Sequence, residues 1–295
     1  MRVGLVQLNV SDDPAANLAR TRALIAQAAG EGATFILTPE CTNLLSSDRA
    51  YQAATLQHES DDITLSALSA EAQRLGVTLL IGSLGIKTGD ADGRFANRSF
   101  LIGPDGEIKA RYDKIHMFDV SVSETESYRE SAAYRPGDAA ITAMVTTAAD
   151  EATIGMAVCY DLRFPHLFRA LAHAGAQILT LPAAFNDTTG AAHWEVLLRA
   201  RAIETGCFVL APAQCGLHAA TKGGAPKHPR RTYGHSLVIA PWGEVLADGG
   251  EAEGIMVIDL DLTEVARARG RDAGRHAGKA PGRAPDRRPI PVQPV

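Results

Sequence analysis

Strand-like and helix-like segments alternate along the first 262 residues, but tight hairpins break the alternation. Residues 2–8 read as a strand and 14–29 as an amphipathic helix, and a short apolar run at 34–38 stops at Pro39-Glu40. A helix at 65–75 leads to a strand at 77–86. Strands at 98–102 and 107–112 then flank Gly-Pro-Asp-Gly, a hairpin turn. A strand at 153–158 runs into Cys159, followed by a helix at 164–174 closed by Gly175, a strand at 176–181, and a helix at 191–204 closed by Gly206. Strands at 207–212, 235–239 and 254–260 complete the pattern, with Pro241-Trp242-Gly243-Glu244 as another turn. A purely parallel doubly wound sheet needs no hairpins, so the pattern predicts mixed sheets in one α/β domain. No linker or repeat divides residues 1–265. From 266 to 295 the chain is almost all Ala, Arg, Gly, Pro and Asp, a composition that buries little and predicts an extended or disordered tail. Such a basic tail could bind a polyanion, but a solvated tail is the simpler expectation.

Several function classes fall away on composition. The net charge of −5 gives no basic field for nucleic acid, and no apolar run reaches the roughly 18 residues of a membrane span. The start, Met-Arg-Val-Gly-Leu-Val-Gln-Leu-Asn-Val, lacks the long apolar stretch of a signal peptide, so a cytoplasmic protein is expected. The four cysteines, at 41, 159, 207 and 215, form no Cys-x-x-Cys and no zinc-ligand spacing, and disulfides are not expected in a reducing compartment.

Three residues stand where strands end. Cys159 closes Ile-Gly-Met-Ala-Val-Cys-Tyr-Asp-Leu-Arg-Phe-Pro, just before a helix. Such a turn lifts a side chain above the sheet, frees backbone N–H groups and lowers a thiol's pKa, which suits a nucleophile; a buried core cysteine is the alternative. Cys41, Cys207 and Cys215 lack this context and read as packing residues. Glu40 ends Phe-Ile-Leu-Thr-Pro-Glu, where partial burial would raise its pKa for proton transfer; a solvated loop acid is the alternative. Lys114, in Tyr-Asp-Lys-Ile-His-Met-Phe, is a candidate oxyanion partner or a surface lysine. His116 offers a Cys–His pairing, with Glu40 the preferred base.

Together these segments resemble the nitrilase, or carbon–nitrogen hydrolase, superfamily, whose Glu–Lys–Cys triad falls in this chain order at Glu40, Lys114 and Cys159. The family's second glutamate matches Glu130, in Arg-Glu-Ser-Ala-Ala-Tyr-Arg-Pro-Gly-Asp. The resemblance runs from Arg2 to about Leu262. Cys-Tyr-Asp-Leu-Arg-Phe-Pro, in place of the Cys-Trp-Glu of nitrile-cleaving members, and the stretch at 190–205 look like the Nit branch, which contains deaminated-glutathione amidase and ω-amidase. Ala-Gln-Cys-Gly at 213–216 and Tyr-Gly-His-Ser at 233–236 look more like the former. The resemblance implies a four-layer α-β-β-α sandwich and a homodimer, here built around the helices at 164–174 and 191–204. The tail departs from the family pattern: where members carry Arg-Arg-Pro-Asp-Xaa-Tyr across the subunit interface, this chain has a late Asp-Arg-Arg-Pro-Ile-Pro-Val, which puts its part in a dimer in doubt.

The implied chemistry needs no metal or cofactor. Glu40 takes the thiol proton, Cys159 attacks a small carboxylated amide, Lys114 and the Tyr160 N–H hold the oxyanion, ammonia leaves, and water cleaves the thioester. Glu130 orients Lys114 or the substrate, or serves as a structural ion pair. Arg163, four residues after the nucleophile, is expected to grip the substrate carboxylate or else to buttress the turn. Phe185 and Thr189 are candidate pocket walls. Deaminated glutathione is the first substrate expectation and an ω-amide such as α-ketoglutaramate the second. A catalytically idle ligand-binding or scaffold subunit is the reading from another class, and the intact triad speaks against it.

Overall fold

The computed structural model describes residues 1–121, 127–222, 230–272 and 290–291. Two seven-stranded sheets form the centre. In the first, the order is Gly254–Asp259, Arg2–Gln7, Phe35–Leu37, Thr78–Lys87, Phe95–Ile102, Ile108–Asp113, with Tyr134–Arg135 paired to Phe95–Ile102. In the second it is Val245–Asp248, Leu237–Ile239, Phe208–Ala211, Ile178–Thr180, Glu151–Met156, Ala139–Thr146, Ile290–Pro291. Each sheet has three parallel strands at its heart and antiparallel strands around them, the mixture that the hairpins required.

The four layers follow from side-chain alternation. Successive strand residues face opposite ways, so a strand buried on both faces sends alternate residues into two cores. Val3, Leu5, Phe35, Leu37, Leu80 and Leu101 join one core with Val145, Ile154 and Met156 of the other sheet. Their neighbours Val6, Ile36, Leu79, Ile81, Phe100 and Ile102 join a second core with Leu24, Ile25, Leu65 and Leu68 from helices Pro14–Gly30 and Ile63–Leu75. Gly4 lets the first helix close on the sheet: a Cβ there would lie 3.0 Å from Ala33 Cβ and 3.2 Å from Ala28 Cβ. Helices Pro165–His173 and Asp187–Thr205 cover the second sheet through Leu167, Phe168, Leu171, Trp194 and Leu198. The arrangement is the α-β-β-α sandwich. Among the described residues no helix is long and apolar enough to cross a membrane.

Two boundaries move. The helix expected at 191–204 starts at Asp187, because the Asn186 side chain accepts the N–H groups of Thr188 and Thr189 and caps it one turn early. The tail expected from residue 266 is helical to 272: Thr263–Asp272 buries Val265 and Ala268, and Arg269 donates to Ala176 O at 2.6 Å. Ile290–Pro291 adds to the edge of Ala139–Thr146. The rest of the tail lies outside the described residues.

Candidate active site

The chemistry-bearing residues sit at the C-terminal ends of strands from both sheets. After Phe35–Leu37 the chain turns sharply, with Cys41 in the left-handed region at φ 59°. The turn is locked by Thr42 Oγ1 on Pro39 O at 2.8 Å and by Cys41 N–H on Ser83 Oγ at 2.9 Å, which fixes Glu40 at its tip. Lys114 follows Ile108–Asp113 directly, its N–H on Asn97 O at 2.9 Å. Cys159 follows Glu151–Met156 from the other sheet, in the left-handed region at φ 49° and starting the short 3-10 turn Cys159–Arg163. A non-glycine residue in that region is strained, and its surroundings must hold it there. Cys159 N–H donates to Pro182 O at 3.0 Å and Asp161 N–H to Val158 O at 3.1 Å; the Tyr160 N–H has no acceptor among the described residues.

These turns bring four side chains together. Lys114 Nζ lies 3.0 Å from Glu40 Oε1 and 2.9 and 2.8 Å from the two oxygens of Glu130. Glu40 Oε1 also accepts Asn97 Nδ2 at 2.9 Å and Glu40 Oε2 accepts Ala184 N–H at 2.8 Å, and the Cys159 thiol lies within reach of the same carboxylate's charge. Glu130 Oε2 further accepts Phe118 N–H at 2.7 Å. Glu40 is 3% and Lys114 2% exposed, so neither charge could be held without the other.

The protonation pattern departs from the sequence-based expectation. Burial works against charge on Glu40, but Lys114 and Arg230 outweigh it and hold the carboxyl below its ordinary 4.5. Burial, reinforced by the Glu40 charge, pushes the Cys159 thiol well above its ordinary 9.0. Lys114 is likewise desolvated, yet Glu130 and Glu40 raise it well above its ordinary value. At neutral pH the site therefore holds a carboxylate, an ammonium and a protonated thiol. The turn after the strand does not release a free thiolate, and the glutamate is not a raised acid. Above the cluster opens a cavity of about 520 Å³, lined by Glu40, Lys114, Glu130 and Cys159 among others. Among the described residues no three His, Cys, Asp or Glu side chains cluster as a metal would need.

A sequence model described as carbon–nitrogen hydrolase matches residues 2–270. The chain belongs to the carbon–nitrogen hydrolase family. It is 38% identical to a deaminated glutathione amidase of Yersinia enterocolitica, over 91% of this chain and 90% of that one. It is 35% identical to the human omega-amidase NIT2, over 91% of each. The solved structure of Saccharomyces cerevisiae Nit3, a nitrilase-superfamily member, superposes with a TM-score of 0.77 at 27% identity, covering 92% of this chain and 93% of that one.

Within this family frame, the structure sorts the remaining candidates. Tyr160, Phe185 and Thr189 line the cavity, and Phe185 is braced by Trp194 at 5.0 Å between ring centroids. Arg163 does not line it. Its Nη2 contacts His193 Nδ1 at 3.1 Å, and its guanidinium packs over the Tyr160 and Phe185 rings, 5.9 Å from each centroid. The side chain thus packs behind the pocket wall, outside the cavity lining. His116 pairs with Asp161, not with Cys159, at 2.6 Å through Nδ1, and stacks on Phe164. Cys41, read as packing, lines the cavity beside Glu40.

Three residues escaped the sequence. Asn97 donates to both Glu40 and Glu130; a polar residue at a buried position of an apolar strand was the available signal. Asp161, fully buried, accepts Tyr112 Oη at 2.7 Å, Val158 N–H at 2.8 Å and His116 N–H at 3.1 Å, and so ties the Cys159 turn to the segment after Lys114. Arg230 lines the cavity and donates through Nη2 to Ala184 O at 2.7 Å; nothing in its Pro-Arg-Arg-Thr context marked it.

Proposed function

We propose that the chain is a thiol amidohydrolase with Cys159 as nucleophile, Glu40 as general base, and Lys114 with the Tyr160 N–H as oxyanion donors. The observation that carries this is the contact set in which Lys114 touches Glu40 and Glu130, with Cys159 lining the floor of the same cavity. Attack moves the thiol proton to Glu40 as the carbon–sulfur bond forms. Glu40 returns it to the leaving nitrogen, and the amine or ammonia departs. Water, deprotonated by Glu40, then cleaves the thioester and restores the thiol. Glu130, with both oxygens on Nζ, keeps Lys114 charged and aimed. The names of the relatives favour deaminated glutathione as substrate, with a short ω-amide second. Replacing Cys159 with alanine should abolish turnover of both while leaving the fold intact; a folded variant that keeps more than a small fraction of activity would refute the assignment.

The homodimer belongs to the same reading. Val196 and Ile203 are exposed on the outer face of Asp187–Thr205, and Trp242 is exposed on the adjoining turn, which Arg199 ties down through Gly243 O at 2.8 Å. An apolar strip of this kind on a helix already packed on its sheet suits a second copy. Light scattering at micromolar protein should give twice the chain mass, and Val196→Glu with Ile203→Glu should halve it; a wild-type monomer overturns the dimer.

A further inference from the structure

We propose that Arg230 is the receptor for an anionic group on the substrate, a carboxylate held a short acyl chain away from the amide that Cys159 attacks. The inference rests on the amidase reading of the same site and adds what kind of amide it takes.

Arg230 carries five N–H donors and a fixed charge. Among the described residues only Nη2 is bonded, and to a neutral carbonyl, Ala184 O. Its Nε is buried without an acceptor, and among the described residues the guanidinium pairs with no carboxylate. The remaining contact is the Tyr128 ring, 5.8 Å from the guanidinium carbon. A desolvated cation and an idle buried donor are both costly unless an acceptor arrives. The side chain lines the cavity that holds Cys159, so an occupant of that cavity can supply it.

The charge balance points the same way. Glu40 and Glu130 bring two negative charges to the floor and Lys114 one positive. Arg49, Arg129 and Arg230 line the same cavity, so its wall offers four cationic side chains against two carboxylates and favours an anion. Of these, Lys114 is held by the two carboxylates and Arg49 is occupied with Ala132 O, Ala133 O and the Phe95 ring, whereas Arg230 has no carboxylate partner among the described residues.

Geometry limits the length of the molecule. One residue, Ala184, links the two ends of the site: its N–H is 2.8 Å from Glu40 Oε2 and its carbonyl 2.7 Å from Arg230 Nη2. The guanidinium is therefore within roughly 10 Å of the base, counting the covalent path across one residue. A carboxylate seated on its fork and a carbonyl carbon at Sγ would be joined by roughly two to four carbons, with the rest of the cavity left to the amine side.

The test compares glutaramate with glutaramide, which differ by a carboxylate and a neutral carboxamide of the same shape. Wild-type protein should favour glutaramate in kcat/KM, and Arg230→Gln should lower the glutaramate-to-glutaramide ratio by about 30-fold or more, the worth of a charged hydrogen-bonded contact. Arg230→Lys, which keeps the charge without the fork and guards against a misfolded glutamine variant, should lower it by an intermediate factor. An unchanged ratio in either folded variant overturns the proposal and leaves Arg230 as a neutraliser of Glu40. If wild-type protein hydrolyses neither compound, the amidase reading is what fails. Calorimetric binding of glutaramate to Cys159→Ala then decides the present one: loss of binding on adding Arg230→Gln supports it, and equal binding, or no binding in either background, overturns it.

Discussion

Replacing Asp161 with alanine would remove the acceptor of four hydrogen bonds at once, and the structure sets how much should follow. The carboxylate is fully buried and accepts Tyr112 Oη at 2.7 Å, Val158 N–H at 2.8 Å, and His116 through Nδ1 at 2.6 Å and its N–H at 3.1 Å. The donors on Tyr112 and Val158 are themselves buried and would be stranded, while those of half-buried His116 can turn to water. Stranding a buried donor costs about 1–3 kcal/mol, so a loss of about 3–5 kcal/mol is expected after partial relaxation. At ~2–4 °C per kcal/mol for a large single domain, the melting temperature should fall by about 6–20 °C. Activity should fall further than stability requires, because Val158 and Asp161 flank the strained Cys159. A displacement of the thiol by about 1 Å can cost about a hundredfold in kcat. Asp161→Asn keeps one acceptor oxygen and should lose about half as much stability. Melting by calorimetry and kcat at a temperature where the variant is folded give the two readouts. A folded Asp161→Ala protein melting within about 2 °C of wild type, with kcat within about threefold, would show that this network does not position Cys159.

Other perturbations read different parts of the site. With Glu40 held below 4.5 and Cys159 above 9.0, kcat/KM should stay level through neutral pH. It should fall on the acid side only as pH drops through the Glu40 pKa, where the stability gained by ionising Glu40 is lost as well. An acid limb centred near 6 would contradict the ordering. Alkylation of Cys159 by iodoacetamide should be nearly flat over the same range, because Glu40 accepts the proton; a tenfold rise per pH unit would mark an ordinary uncoupled thiol. Gly82→Ala should destabilise by about 1–3 kcal/mol and slow turnover about tenfold or more. Its Cβ would fall 2.0 Å from Thr38 O, 2.5 Å from Pro39 O and 2.6 Å from Pro182 Cβ, so both the turn carrying Glu40 and the turn at Pro182, whose carbonyl holds the Cys159 N–H, must move. A crystal structure of this variant with both turns unmoved would refute the argument.

The parts of the molecule legible in the sequence are those whose physics is local. Apolar alternation located the central strands, Gly-Pro-Asp-Gly located the hairpin, with Gly106 at φ 80°, and Gly206 at φ 61° closed its helix as read. Ala139–Thr146 was not assigned, since its Ala and Thr residues give little apolar alternation and its strand character comes from pairing with Glu151–Met156. Arg49–Thr55 buries only Gln52 and so carries no helical stripe. Glu40, Lys114 and Cys159 stand out in the sequence because each lies where a strand ends, and the fold brings them to one cavity. Arg230 and Asp161 do not, because what matters about them is made by segments far away: Ala184 is 46 residues from Arg230, and Tyr112 is 49 from Asp161. Arg163 is the converse case. Closeness in sequence to Cys159 suggested reach, while the 3-10 turn and His193 draw its side chain behind the wall.

The same distinction explains the protonation pattern. A strand-to-helix turn taken alone argues for a lowered thiol pKa, and a partly buried glutamate taken alone argues for a raised one. Both tendencies are overruled by partners that only the folded chain supplies. Lys114 and Arg230 stabilise the Glu40 carboxylate, and that carboxylate in turn destabilises a thiolate beside it. In the proposed reaction the proton therefore starts on sulfur and reaches Glu40 only as the carbonyl carbon takes up the sulfur electron pair. At that moment the new negative charge passes to the carbonyl oxygen, beside Lys114 and the Tyr160 N–H, and away from the carboxylate. The site thus favours charge where the tetrahedral intermediate places it over charge on the resting nucleophile, which is the condition for a lower barrier without tighter ground-state binding.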